Sequence, residues 1–423
     1  MFAVIRNSWA LLLGITLLMM GNGIQSTLLG VRGELEGFST QAMSIVMAGY
    51  FAGFLLGSQL VPPLIRKVGH VRVFAALGSL ASAGLILYPV LTQWVSWTAL
   101  RLLLGFCFCG VYIVAESWLN NTTTNDTRAR ALSLYIIAQM VGIVAAQGIL
   151  AAGDPSGFVL FIVVSVLVSL SFAPILLSAT PMPPFESAKP LSLADIYRAS
   201  PLGCVGVLLL GGVFAGLYGM SGVYGAQAGL GLTQIAIFAS AISAGGLILQ
   251  YPLGWLADRV DRRRLILIAA SASALISLVG WLGIGGFWGL VVVIFIYGGL
   301  ANPIYAMLLA YTNDYLEPDD MAAASARLLF LNGSAATLGP LVAGWLMQTI
   351  GPGGFFAYLA TLMAALAGYA AWRMTRRPTS AVAEGEDAAQ FVAVAPIAIT
   401  PVTIGSMVEE WEEQIATEEE DSA

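Results

Sequence analysis

Twelve long apolar runs constrain this chain more than any other feature. They cover roughly residues 8–30, 42–64, 71–92, 95–118, 131–152, 157–178, 201–226, 233–255, 264–283, 286–312, 322–349 and 353–373. About 20 apolar residues, at a rise of about 1.5 Å each, cross the hydrocarbon core of a bilayer. The runs do not alternate as the strands of a lipid-facing barrel would. The expected fold class is an all-α polytopic membrane protein with 12 transmembrane helices. A water-soluble chain is excluded by composition: 58% of the 423 residues are hydrophobic and 10% are charged, against about 25% charged in soluble domains. The first run is too long for a signal-peptide core and no small-residue cleavage site follows it, so it reads as an uncleaved helix.

Charge sets the orientation. With both termini cytoplasmic, 16 of the 18 Lys and Arg fall on the cytoplasmic side; Arg32 lies outside and Arg101 within a run. That asymmetry follows the positive-inside rule and supports an even helix count. The longest internal loop holds Pro181, Pro183, Pro184 and Pro190, with Pro201 just beyond, and proline stops helices and stiffens linkers. It divides the runs six and six. The expected organisation is a six-helix bundle over 1–178, a cytoplasmic linker over 179–200, a second six-helix bundle over 201–374 and an acidic cytoplasmic tail over 375–423. The tail has eleven acidic residues and two arginines, a charge of −9 within a net −6. Ile404, Met407, Val408, Trp411 and Ile415 recur in it at helical spacing, and Ser406 with Glu409 has capping-box spacing. The tail is either a solvating segment or an amphipathic helix that docks on the basic loops.

Polar side chains are costly in a bilayer and mark cavities or helix contacts. Asn22 and Gln25 share one face of the first run. Gln59 lies in the second, Arg101 and Glu116 in the fourth, Gln139 and Gln147 in the fifth. Gln250 lies in the eighth, Asn302 in the tenth and Asn332 in the eleventh, while the third, sixth, ninth and twelfth carry no amide or charge away from their ends. The bare runs are expected to face lipid and the others to surround a water-accessible path. Two similar six-helix bundles around a midplane site are a transporter architecture.

The sharpest local feature is "GWLADRVDRRRL", with six charges between Asp258 and Arg264 set between apolar runs. It resembles the signature loop of the major facilitator superfamily, with Gly254, Leu256, Ala257, Asp258, Arg259, Arg262 and Arg263 matching. Asp261 stands where that family usually has glycine. "RLLLG", Arg101 to Gly105, resembles the family's helix-4 motif. "VAESW", "TRARAL", "SAGGLILQYPLGWLADR" and "LLFLNGSAATLGP" are similar to its YcaD-like bacterial branch. In the first half the corresponding loop reads "PPLIRKVGHVRV", with Arg66 at the aspartate position and Pro62 at the first glycine.

The resemblance implies a secondary transporter of the bacterial inner membrane, a monomer, moving a small organic solute by alternating access. Proton coupling is the leading expectation and an uncoupled facilitator the alternative. The resemblance also implies that the loop of Gly254, Asp258, Arg259, Arg262 and Arg263 latches the cytoplasmic side in one state; charges that only set topology are the competing reading. The coupling candidates are Arg101, Glu116, Arg128 and Arg130. Arg101 belongs to the transport path or to coupling, or it makes a structural bond to backbone carbonyls or snorkels to the outer interface. Glu116, about 22 Å further along the same helix, pairs with Arg128 or Arg130 or titrates. The substrate cavity candidates are Asn22, Gln25, Tyr112, Gln139, Gln147, Tyr218, Tyr224, Gln250, Asn302, Tyr305 and Asn332, each weighed against a role in helix packing. Such a lining suits a neutral, anionic or aromatic solute, whether a vitamin-like metabolite such as riboflavin or a drug-like compound.

Other chemistries have no support in the sequence. Cys107, Cys109 and Cys204 sit inside runs as packing residues, with no disulfide framework and no metal-ligand spacing. His70, the single histidine, is expected as a solvated loop residue. No nucleophile–base motif points to an enzyme, and no phosphate-cradling loop or other cofactor signature is present, so no cofactor and no nucleic acid are expected. A non-transporting sensor acting through the acidic tail is the reading from a different class.

Overall fold

The computed structural model describes residues 2–121, 125–176, 192–316 and 318–376; side chains of a few residues within these segments, Arg128 and Arg130 among them, are not described. Among the described residues every element is helical. The helices are α1 (Phe2–Leu35), α2 (Thr40–Val68), α3 (His70–Leu87), α4 (Trp94–Asn121), α5 (Asn125–Ala152), α6 (Val159–Leu176) and α7 (Leu193–Ala199). They continue as α8 (Pro201–Phe214), a π-helix (Ala215–Gly219), α9 (Ser221–Gln227), α10 (Leu232–Ala257), α11 (Arg262–Trp281), α12 (Gly286–Asn313), α13 (Pro318–Ile350) and α14 (Gly354–Arg376).

These helices account for all twelve apolar runs, and no end moves by more than six residues. Eleven are long and apolar enough to cross a membrane; α6 is apolar and shorter. The outer surface carries Leu60, Ile248, Tyr251, Ile268, Leu275 and Val292 in exposed positions, as a surface facing acyl chains requires. Trp94, Trp281, Trp288 and Trp345 are exposed near helix ends, where indoles anchor to the interface. An even number of passes returns residue 376 to the face where residue 2 starts, here the terminal face; the opposite one is the far face.

Contacts sort the spans into two sets. Within the first six, α1 packs on α5 and α6, α2 on α4, and α3 on α4 and α6. Within the last six, α10 packs on α12, α11 on α12 and α14, and α8 on α12, α13 and α14. Cross-contacts run through α2 with α13, α5 with α10, and α1 with α9. The runs bare of amides, now α3, α6, α11 and α14, take no major part in these cross-contacts. They still carry hydroxyls that bond inward. Ser82 of α3 meets Ser165 and Ser169 of α6, at 2.8 Å each, and Tyr358 of α14 donates to the Gly212 carbonyl.

The pairs α2–α4 and α10–α12 are built alike. A Cβ at Gly53 or Gly105 would run into the facing carbonyl of Leu102 or Tyr50, and one at Gly245 or Gly298 into that of Phe295 or Ile242. Each pair therefore meets backbone to backbone, which glycine alone permits.

Three sequence expectations change. The seventh run is not one helix: it is α8, the wide π turn and α9. Part of the expected linker is helical, since Ser192 caps α7 by accepting from the Asp195 amide. His70 is no solvated loop residue; it is 5% exposed and begins α3, because the chain turns at Gly69 alone, at φ 95°. The expected tail helix lies outside the described residues.

Candidate functional site in the cleft between the two helix sets

α1, α2, α4 and α5 on one side and the π-helix, α9 and α10 on the other wall a cavity of about 580 Å³, its open mouth included. α1 contributes Asn22, Gly23, Ser26 and Thr27; α2 contributes Tyr50 and Phe51; α4 contributes Arg101; α5 contributes Ile143 and Gln147. The partner side supplies Tyr218, Ser221, Ala239, Ile242 and Ser243. Arg101 is the one charged residue among these described lining residues.

A hydrogen-bonded frame holds the polar groups. Asn22 Nδ2 donates to the hydroxyls of Tyr50 (3.2 Å) and Tyr112 (3.1 Å). Gln25 Nε2 donates to Tyr88 (3.3 Å), and Gln147 Nε2 to the Gly23 carbonyl (3.2 Å). Across the cleft, Asn302 Nδ2 donates to the Tyr218 hydroxyl (3.0 Å). The π turn places the Tyr218 carbonyl so that Ser26 Oγ donates to it from the other helix set (3.2 Å). π turns of this kind occur often at functional sites.

Arg101 is 1% exposed. Its guanidinium carbon lies 4.8 Å from the Tyr50 ring centre, and one Nη sits 3.0 Å from Met47 Sδ. Its Nε has no hydrogen-bond partner, and no carboxylate among the described residues forms an ion pair with it. A thioether is a weak acceptor, and a cation–π contact is worth about 0.5–2 kcal/mol. Removing a guanidinium from water costs several kcal/mol, and arginine does not escape by losing its proton. The site thus holds a positive charge that its own residues do not balance. The glycine of the helix-4 motif explains how Arg101 reaches Tyr50: Gly105 lets α4 lie directly on the Tyr50 backbone.

A second cavity of about 520 Å³ shares Tyr50 and Phe51 with the first and continues toward the terminal face between α2, α8 and α13. Phe54, Leu55, Phe214, Leu329 and Ala336 make it largely apolar, with Ser58 and Asn332 as its polar groups. Asn332 Nδ2 donates to the Val207 carbonyl (3.1 Å).

Other anticipated residues lie elsewhere. Tyr224 stacks on Phe355, with centres 4.9 Å apart, in a nest with Phe238 and Phe356, away from either cavity wall. Tyr305 packs beside Phe214 and Gln139 is buried on α5; neither lines either cavity, and nor does the buried Gln250 of α10. Glu116 is 1% exposed and accepts from the Tyr135 hydroxyl at 3.0 Å. Its anticipated partners Arg128 and Arg130 lie outside the described side chains.

Tyr50 and Tyr88 are not among the anticipated residues, although four other tyrosines, Tyr112, Tyr218, Tyr224 and Tyr305, are. Their signal was the phenol itself, an apolar body with one polar handle that needs a partner when buried.

The signature loop folds around Arg262. Its guanidinium donates to both carboxylate oxygens of Asp314 at the end of α12 (2.8 Å each) and lies 3.8 Å from Asp258. Arg263 pairs with Asp261 (3.1 Å), and Arg259 lies over the Trp255 ring (4.1 Å). Asp261, the departure from the family's glycine, caps α11 by accepting from the Arg263 amide (2.9 Å).

On the far face the two helix sets are in contact. Gln227 donates to Thr40, Gly30 lies on the Gly222–Val223 backbone, and Gly344 of α13 lies against Ser44. These contacts close the cleft on that side.

A two-set helical bundle closed on one face and enclosing a polar midplane cavity defines a membrane transporter. The family model of the Major Facilitator Superfamily matches residues 11–282 and 230–411, and the chain belongs to that superfamily, within its YcaD-like branch. It is 24% identical over 354 residues to the uncharacterized MFS-type transporter YcaD of Escherichia fergusonii, covering 83% of this chain and 92% of that one. A YcaD protein of Salmonella paratyphi A is 24% identical over 366 residues, covering 86% and 94%. Among solved structures, the nucleoside transporter NupG is similar in fold at TM-score 0.75 and 14% identity, over 88% of this chain and 99% of that one. A bacterial homologue of the human lysosomal transporter Spinster, inward-facing and unoccupied, has TM-score 0.62 at 15% identity, over 97% and 93%. The protein is thus a multi-pass transporter of the bacterial inner membrane that acts on a small molecule.

Proposed function

We propose that the chain is a secondary active transporter that moves a small organic solute by alternating access, with protons as the coupled ion and both termini in the cytoplasm. One observation carries the reading: the polar cavity takes its wall from both helix sets, so the solute that fills it touches both. Such a solute can bias which face is open, because its contacts differ between the two arrangements. The far-face contacts that close the cleft run between α2 and α13 and between α1 and α9, so they join the two sets that alternating access moves apart. The loop around Arg262 is proposed as the latch on the terminal face.

Glu116 is proposed as the proton carrier. It is the buried carboxylate of α4, and a tyrosine hydroxyl bonds it in place. A carboxylate in such a site exchanges its proton when its surroundings change.

The test is uptake of a mixture of small organic metabolites by proteoliposomes, read by mass spectrometry with and without an inward proton gradient. At least one solute should accumulate above protein-free liposomes, and only with the gradient. Glu116→Gln should abolish accumulation while sparing solute exchange. Accumulation indifferent to the gradient would make the chain an uncoupled facilitator. No uptake of any solute would turn attention to a sensor role.

A further inference from the structure

We propose that Arg101 is the anchor for the carboxylate of an aromatic monocarboxylate, which is the solute class this cavity selects. The proposal rests on the reading of the cavity as the solute's site and adds the charge and shape of what fills it.

Three observations point the same way. First, Arg101 is almost fully buried, lines the cavity, and has a thioether, a π face and the phenols of Tyr50 and Tyr88 as neighbours but no anion, with its Nε unpartnered. A guanidinium offers a planar fork of donors that matches a carboxylate. Second, no second cationic residue and no carboxylate is present among the described lining residues. One positive charge balances one negative charge. A phosphate monoester, at about −1.5 to −2 near neutral pH, would remain unbalanced, and a cationic solute would be repelled. Third, Tyr50, over whose ring Arg101 lies, is shared with a second and more apolar cavity. The Tyr50 ring carries the guanidinium on its face and meets Phe51 at 5.6 Å and Phe54 at 6.2 Å. Phe54, Phe214 and Leu329 then line the adjoining apolar cavity. A solute with its carboxylate on Arg101 places an attached ring against this wall, where edge-to-face contacts are favourable.

The experiment measures binding to the purified full chain in detergent by calorimetry and thermal shift. The probes are benzoate and 3-phenylpropanoate, their neutral amides, phenyl phosphate, and acetate as the acid without a ring. The aromatic carboxylates should bind and stabilise the chain, with the amides, the phosphate and acetate at least about tenfold weaker. Arg101→Gln should weaken the carboxylates about 10- to 100-fold, the range for losing a hydrogen bond to a charged group. Arg101→Lys should recover part of that loss as a point charge. An amide or phenyl phosphate within twofold of its acid overturns the proposal, as does Arg101→Gln within twofold of the parent. So does an absence of binding by both acids. If Arg101→Gln fails to fold, the acid–amide comparison on the parent chain decides. Uptake by proteoliposomes separates the two claims. Accumulation of neutral solutes with no carboxylate binding sinks the anion site and leaves the transporter standing. Arg101-dependent carboxylate binding with no uptake of any solute does the reverse.

Discussion

The two loops that follow the second span of each six-helix set hold corresponding places and are built by opposite means. After α2 the chain turns at one residue, Gly69, and His70 enters α3 buried. After α10 it takes four residues, Asp258 to Asp261, and is tied down by Arg262 on Asp314 and Arg263 on Asp261. One turn depends on a backbone conformation, the other on charges held with little contact to water. A one-residue turn needs no partner, whereas an ion pair can be made in one state and broken in another. The latch proposed above falls on the second loop; the first carries Arg66 at the family's aspartate position.

The charged loop should be the more fragile of the two. The side chains of Arg262 and Asp314 are 7% and 0% exposed. Removing one partner of a buried pair costs about 3–5 kcal/mol, so Asp314→Ala should lower the melting temperature sharply. Lys67→Ala beside the other turn should change stability by no more than about 0.5 kcal/mol, as exposed substitutions do. Equal losses in the two would erase the distinction.

Gly69→Ala is next. At φ 95° and ψ 154° the position lies in a region that side chains avoid, so alanine should cost about 1–3 kcal/mol. Val260→Gly in the charged loop should cost less, since no positive φ holds that turn. Melting curves of the two variants side by side give the answer.

The smallest effect concerns Asp261. Burial pushes its carboxyl up, but the bonds from the Arg263 side chain and amide, with the charges of Arg263 and Arg264, outweigh burial and hold it below the usual carboxylate value. A depressed carboxyl contributes stability fully above its unfolded value, about 3.9, and loses it as pH falls through the folded one. Asp261→Asn should thus trail the parent chain in melting temperature by a constant margin near neutral pH, and the margin should close below about pH 4. Asp261→Ala removes the cap as well, at about 1 kcal/mol more.

Much of the fold was legible in the sequence because hydropathy over twenty residues is set by the solvent, not by neighbours. That is why α10 and α12 begin and end within two residues of their apolar runs. The π turn was not legible, since it depends on what Tyr218 meets across the cleft. The same limit applied to side chains. Asn22, Gln147 and Tyr218 line the cavity between the helix sets, whereas Tyr224 has the same composition signal and is spent on an aromatic nest. Polarity within a span shows that a residue needs a partner; it does not show whether that partner is a helix or a solute.

The glycine crossings have a mechanical consequence. A contact made backbone to backbone contains no rotamers, so it has little compliance with which to absorb a displacement. α2 and α4 then move as one stiff unit, joined where Gly53 meets Gly105. Arg101 stands four residues from that joint on α4, about 6 Å, and the end of α2 at Val68 stands fifteen residues from it, about 22 Å. A displacement of α4 at the cavity would then be carried undiminished to the terminal corner of α2.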